Sequence, residues 1–81
     1  MKNENDYQKL LALRDKINNK SATFEEQKDY VRMLTNEGKL TEEQYQMFAQ
    51  KDKLQNDVLN AALTIGGIIL LAWLVGKLIN K

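Results

Sequence analysis

Cysteine, histidine and proline are all absent from this chain of 81 residues. Without cysteine no disulfide staples the fold, and no thiolate can bind a metal or act as a nucleophile. Without histidine the usual nitrogen ligand for zinc is gone, together with the side chain best suited to proton transfer near neutral pH. The sequence also holds no phosphate-binding glycine loop and no nucleophile–base pair. These absences point away from an enzyme, a cofactor, a metal and a small-molecule substrate. The lack of proline favours uninterrupted helices. Long uncharged runs are scarce too, with one exception near the C-terminus.

Charge is unevenly spread. All eleven acidic residues lie between Glu4 and Asp57, and ten of the twelve basic residues lie before residue 58. The first 57 residues therefore carry a net charge of −1, and the rest are almost wholly apolar apart from Lys77 and Lys81. The basic residues alternate with acids and form no stripe, so nothing indicates direct nucleic-acid binding. The opening MKNENDYQKLLAL does not read as a secretory signal, because its apolar run is short and acids sit among the bases. Neither end carries a lipidation motif.

Hydrophobic spacing predicts an all-α fold with helices at about 5–18, 24–37 and 42–57. In the first, Tyr7, Leu10, Leu11, Leu13 and Ile17 share one side. Asn18 and Asn19 are expected to end it, since asparagine tolerates the left-handed conformation. Thr23 with Glu26 forms a capping box that starts the second helix, and Gly38 is expected to end it. Thr41 with Gln44 forms a second box, with Leu40 and Tyr45 placed as a hydrophobic staple. Nothing between Gln46 and Asp57 looks able to stop the third helix. NNKSATFEEQ and NEGKLTEEQ share a polar turn, a threonine cap and the run Glu-Glu-Gln, either as an internal repeat with one extra residue in the first turn or because good caps look alike. The acidic pairs Glu25-Glu26 and Glu42-Glu43 suit first helix turns, where they complement the helix dipole.

The segment YVRMLTNEGKLTEEQYQMFAQKDKL, about residues 30–54, resembles the SHOCT domain. The matching features are an apolar helix, the run Asn-Glu-Gly-Lys-Leu-Thr-Glu-Glu-Gln-Tyr, and a second helix. The resemblance covers under a third of the chain and implies a short helical hairpin that mediates oligomerisation. It implies no chemistry. Here the hairpin is followed by a long apolar helix, which departs from the family's usual placement at the end of a chain.

Residues 58–76, VLNAALTIGGIILLAWLVG, carry no charge. As a helix they extend roughly 28 Å at ~1.5 Å per residue, close to the ~30 Å hydrocarbon core of a bilayer. Leu78 and Ile79 lengthen the run if Lys77 reaches to the headgroups, so residues 58–79 are assigned to a transmembrane helix and 80–81 to a tail. Trp73 and Lys77 are its expected interfacial anchors. Three short helices have too little apolar surface to wrap such a segment on every side. The charge-rich residues 1–57 are expected in the cytoplasm, because crossing with only a short tail is far easier. The result is a single-pass protein of the cell (inner) membrane.

Within the span, Ala62, Gly66, Ala72 and Gly76 form two small-xxx-small pairs within an arc of about 120°, a candidate seam for packing between membrane helices. Asn60 and Thr64 lie one turn apart, and Thr64 is able to bond its own preceding turn. The function expected is a membrane-anchored scaffold that forms a homo-oligomer or grips a protein partner. The layout resembles small C-terminally anchored phage or prophage membrane proteins, some of which organise replication at the bacterial membrane. Two alternatives stay open: a holin-like or toxin-like permeabilising protein, and an accessory subunit of a larger membrane complex.

Overall fold

Helices in this chain begin where a short polar side chain can accept a hydrogen bond from the free amides of the first turn. In the computed structural model, which describes residues 3–79, this happens three times. Asn3 Oδ1 accepts from the Asp6 amide at 3.1 Å and opens α1 (Glu4–Asn18). Thr23 and Glu26 form the reciprocal capping box of α2 (Phe24–Asn36), and Thr41 and Gln44 that of α3 (Glu42–Ala49). The fourth helix, α4 (Gln55–Ile79), lacks such a residue: Leu54 supplies the first acceptor carbonyl, to Val58 at 3.0 Å. The fold is all-α, with four helices and no strand among the described residues. The expected tail, 80–81, lies outside them.

The third helix is shorter than its hydrophobic pattern suggested. It stops at Ala49 rather than continuing to residue 57, and α4 starts afresh at Gln55. Lys51 takes a left-handed conformation with φ 55°. Its amide bonds the Phe48 carbonyl at 3.1 Å, and the Asp52 amide bonds Met47 at 3.0 Å. That pair of bonds is the Schellman motif, which satisfies the last carbonyls and turns the chain away. Asp52 Oδ1 then accepts from the Leu54 amide at 3.1 Å and holds the turn. A lysine in this role gives no warning in the sequence, because lysine is ordinarily a helix former.

The same link occurs three times. Lys20 (φ 59°) and Gly38 (φ 73°) end α1 and α2 with the same two bonds that Lys51 makes after α3. The left-handed residue after α1 is thus Lys20, and Asn19 keeps φ −85°. Each left-handed residue stands three positions before the residue that caps the next helix: Thr23, Thr41 and Leu54. The first turn has no additional residue. The insertion seen on aligning the two sequences is Phe24, already inside α2.

Exposed ion pairs cross two of the links, Lys16 with Glu26 at 2.6 Å and Arg32 with Glu42 at 2.8 Å. Arg32 also lies 4.0 Å from the centre of the Tyr45 ring. Beneath them one core joins all four helices: Leu10, Leu13 and Ile17 from α1, Tyr30, Val31 and Leu34 from α2, Phe48 from α3, and Val58, Ala62 and Leu70 from α4, with Leu40 between α2 and α3. Phe24 stacks on Phe48 with ring centres 5.6 Å apart. The molecule measures 44 × 26 × 17 Å, and α4 runs most of its length.

Candidate functional site

The feature that distinguishes this chain is α4, whose most apolar window has a mean hydropathy of 2.2. It is long and apolar enough to cross a membrane. Its surface is divided lengthwise by what covers it. Val58, Ala62, Gly66 and Leu70 form a buried inner face under α1, α2 and α3. The outer face runs through Asp57, Asn60, Thr64, Ile68, Leu71, Val75 and Leu78, all of them exposed. It is polar as far as Thr64 and apolar from Ile68 onward. Only 22% of the most apolar window is buried, so the three short helices cover the segment on one side and leave the other open.

The uncovered part is substantial. Ile68, Leu71, Leu78 and Ile79 are each at least 64% exposed, and Leu74 and Val75 are above 40%. Scattered apolar residues on a surface need no explanation, but a continuous stripe at helical spacing does. Thr64 Oγ1 donates to the Asn60 carbonyl at 3.0 Å, bonding its own preceding turn.

Two polar side chains lie against the glycine pair in the middle of α4. Tyr30 is completely buried, and its hydroxyl donates to the Ala62 carbonyl at 3.2 Å. Burial pushes the Tyr30 phenol up to about 12, against an opposing pull from the Arg14 charge, so it remains a donor at neutral pH. Gly66 is what lets this hydroxyl reach the backbone, for a Cβ there would fall 1.8 Å from it. Beside it, the Arg14 guanidinium packs on Gly67 at the edge of an apolar groove formed with Leu11, Ile68, Leu71 and Leu74. Arg14 Nε is buried and has no hydrogen-bond partner. No carboxylate pairs with Arg14 among the described residues.

The small residues of the span therefore do not act as one seam within the chain. Ala62 and Gly66 are buried against α2, Ala72 is exposed, and Gly76 is half-buried with open space around its Cα. Close approach at Gly66 is real, but a tyrosine from the same chain makes it. Trp73 and Lys77 are also engaged within the chain. Trp73 stacks on Tyr7 with centres 5.2 Å apart, and Lys77 pairs with Glu4 at 2.5 Å while lying over the Trp73 ring. Glu4, Tyr7 and Arg14 of α1 thus meet Lys77, Trp73 and Gly67 of α4 in reverse order, an antiparallel pairing along most of α1 and the C-terminal half of α4.

No family model, curated protein or solved structure matches this chain.

The segment 30–54, expected from its sequence to be a helical hairpin, folds as the C-terminal half of α2, the Gly38 turn and α3, and its last five residues lie outside any helix. No cluster of three or more histidine, cysteine, aspartate or glutamate residues suited to a metal is present among the described residues. Sequence reasoning gave neither Tyr30 nor Arg14 a partner. Neither residue announces a partner more than thirty positions away, and the Gly66-Gly67 pair was the one visible sign that something approaches α4 closely.

Proposed function

We propose that the protein is a membrane-anchored interaction module, in which α4 is the anchor and the capped helices before it form the docking part. The observation that supports this most is the uncovered apolar stripe on a 25-residue helix whose neighbours already pack against its other face. In water that stripe is unfavourable at about 25 cal/mol per Å2, and lipid relieves the cost. The single-pass arrangement keeps the charge-rich helices on the cytoplasmic side of the inner membrane, since carrying many charges across a bilayer is far costlier than carrying few. Confinement to a surface raises local concentration, so modest contacts between α2–α3 hairpins suffice for self-association or for holding a partner. The layout resembles that of small anchored phage proteins, which supports an assembly role at the bacterial membrane.

Fractionation of cells expressing the full chain tests the proposal. The protein is expected in the membrane pellet after an alkaline wash, with its N-terminal region open to protease only from the cytoplasmic side. Cross-linking is expected to trap multimers at native expression. Recovery in the high-speed supernatant as a monomer would refute it.

A further inference from the structure

The α1 helix and a bilayer cannot occupy α4 at the same time. Arg14 of α1 lies against Gly67, which is the central residue of the charge-free run 58–76. Were α1 to accompany α4 into a membrane, this guanidinium would sit at the mid-plane, where an ionised side chain is least tolerated. Asp6, Lys9, Asp15 and Lys16 would be carried in beside it. The outer apolar face visible in the structure is also too short to span alone. Residues 68–79 cover roughly 18 Å at ~1.5 Å per residue, against ~30 Å of hydrocarbon. A full crossing needs the inner face too, which α1 covers from Gly67 toward Lys77 and Tyr30 of α2 covers at Ala62 and Gly66.

We propose that α1 is a removable cover for α4, so that the chain exists in a closed form with α1 zipped antiparallel along the apolar helix and an open form in which α1 has left, Tyr30 of α2 has come away from Ala62 and Gly66, and α4 spans the bilayer. The inference rests on α4 being the membrane-spanning element. Closure is held at the far end by Glu4 on Lys77 and by Tyr7 stacked on Trp73, and at the centre by Arg14 on Gly67. The hinge is the link from Asn19 to Thr23, whose residues are exposed except for half-buried Ala22. The α2–α3 hairpin has its own ion pair and ring contacts, and these do not involve α1. The closed form shelters the span before it meets lipid, and lipid selects the open form because only the open form offers a helix long enough to cross.

The absence of cysteine and the presence of one tryptophan make the test direct. Full-length protein carrying Glu4→Cys and Lys77→Cys is either bridged with a short bis-maleimide or capped with N-ethylmaleimide. Each form is mixed with phosphatidylethanolamine–phosphatidylglycerol vesicles. Insertion is read as alkali-resistant association and as quenching of Trp73 by lipids brominated on the acyl chain close to the headgroups, the depth expected for an interfacial ring. The capped protein is expected to insert, and bridging is expected to lower the inserted fraction about tenfold or more by removing the open form. A second variant works in the opposite direction. Tyr7→Ala removes the stacked ring without altering α4, and is expected to raise the inserted fraction about three- to tenfold at limiting lipid. Equal insertion of bridged and capped protein, or no gain from Tyr7→Ala, overturns the cover while leaving the anchor in place. Failure of capped and wild-type protein alike to insert overturns the anchor, and the cover with it.

Discussion

Gly66→Ala adds a single methyl group to the side of α4 that faces α2. The new Cβ would lie 1.8 Å from the Tyr30 hydroxyl oxygen and 2.8 Å from Cζ, well inside contact distance. Tyr30 is 0% exposed, so its ring has no free volume to move into. Displacing it costs about 1–3 kcal/mol of overpacking. The bond to the Ala62 carbonyl is lost with it, a further ~1 kcal/mol. Alanine returns about 1 kcal/mol through its better helix propensity. The balance is a destabilisation of about 1–3 kcal/mol, with the steric cost dominant. Gly67→Ala, one residue along, is the control. Its nearest obstacle is the tip of the Arg14 side chain at 3.0 Å, which can swing aside. The propensity gain is then expected to win, leaving the protein as stable as before or up to about 1 kcal/mol more so. Urea unfolding of the lipid-free protein, followed by far-ultraviolet circular dichroism and Trp73 emission, measures both. Adding Tyr30→Phe to Gly66→Ala should restore about 1 kcal/mol or more relative to additivity, because it removes the atom that clashes most. A neutral Gly66→Ala, or a double variant with no recovery, refutes the assignment of Gly66 as the seat of Tyr30. A loss that grows on dilution and ignores residue 30 would instead place Gly66 between two copies of the chain.

Two further outcomes follow from the links between helices. Leu54 occupies the cap position of α4 where α2 and α3 have threonine, so Leu54→Thr, with Asp57 three residues on, should raise the urea midpoint by about 0.5–1 kcal/mol equivalent; an unchanged midpoint would show that the Asp52–Leu54 turn already satisfies those amides. The Lys16 ammonium, with the Thr23 amide, holds the Glu26 carboxyl below the usual glutamate value of 4.5, and the Arg32 guanidinium does the same for Glu42. Because both values are depressed on folding, their stabilisation is complete above pH 4.5 and drains away as pH falls through the lower folded values. Both acids are exposed, so the effect should be small and weaker in high salt. Glu26→Gln with Glu42→Gln should flatten the acid limb of a plot of melting temperature against pH; an unaltered limb would show that neither ion pair forms in solution.

Much of the architecture was legible because it is written in adjacent residues. The capping boxes at Thr23 and Thr41 join atoms three positions apart, so their geometry needs nothing from the rest of the chain. Gly38 ends α2 for the same local reason. The end of α3 was not legible, although it too is local. Lys20 and Lys51 adopt positive φ against their own preference, and what favours that conformation is the following turn and the core beneath it rather than any property of lysine. The small-residue pattern of the span was visible, but a glycine records only that something comes close. It does not record whether that is a second copy of the chain or, as here, Tyr30 of the same one.

By itself the sequence determined four things: all-helical structure, the position of most helix starts, the concentration of charge before residue 58, and an uncharged segment of membrane length. Each depends on residue type at short spacing or on composition summed along the chain. Only the tertiary structure decided that α1 lies antiparallel on α4, that Trp73 and Lys77 are held by Tyr7 and Glu4, and that one face of the apolar helix is covered while the other stays bare. Those facts come from contacts between residues on different helices, far apart along the chain. Such contacts arise from the shape and packing of surfaces that exist only once the helices have formed, and no stretch of sequence carries them alone.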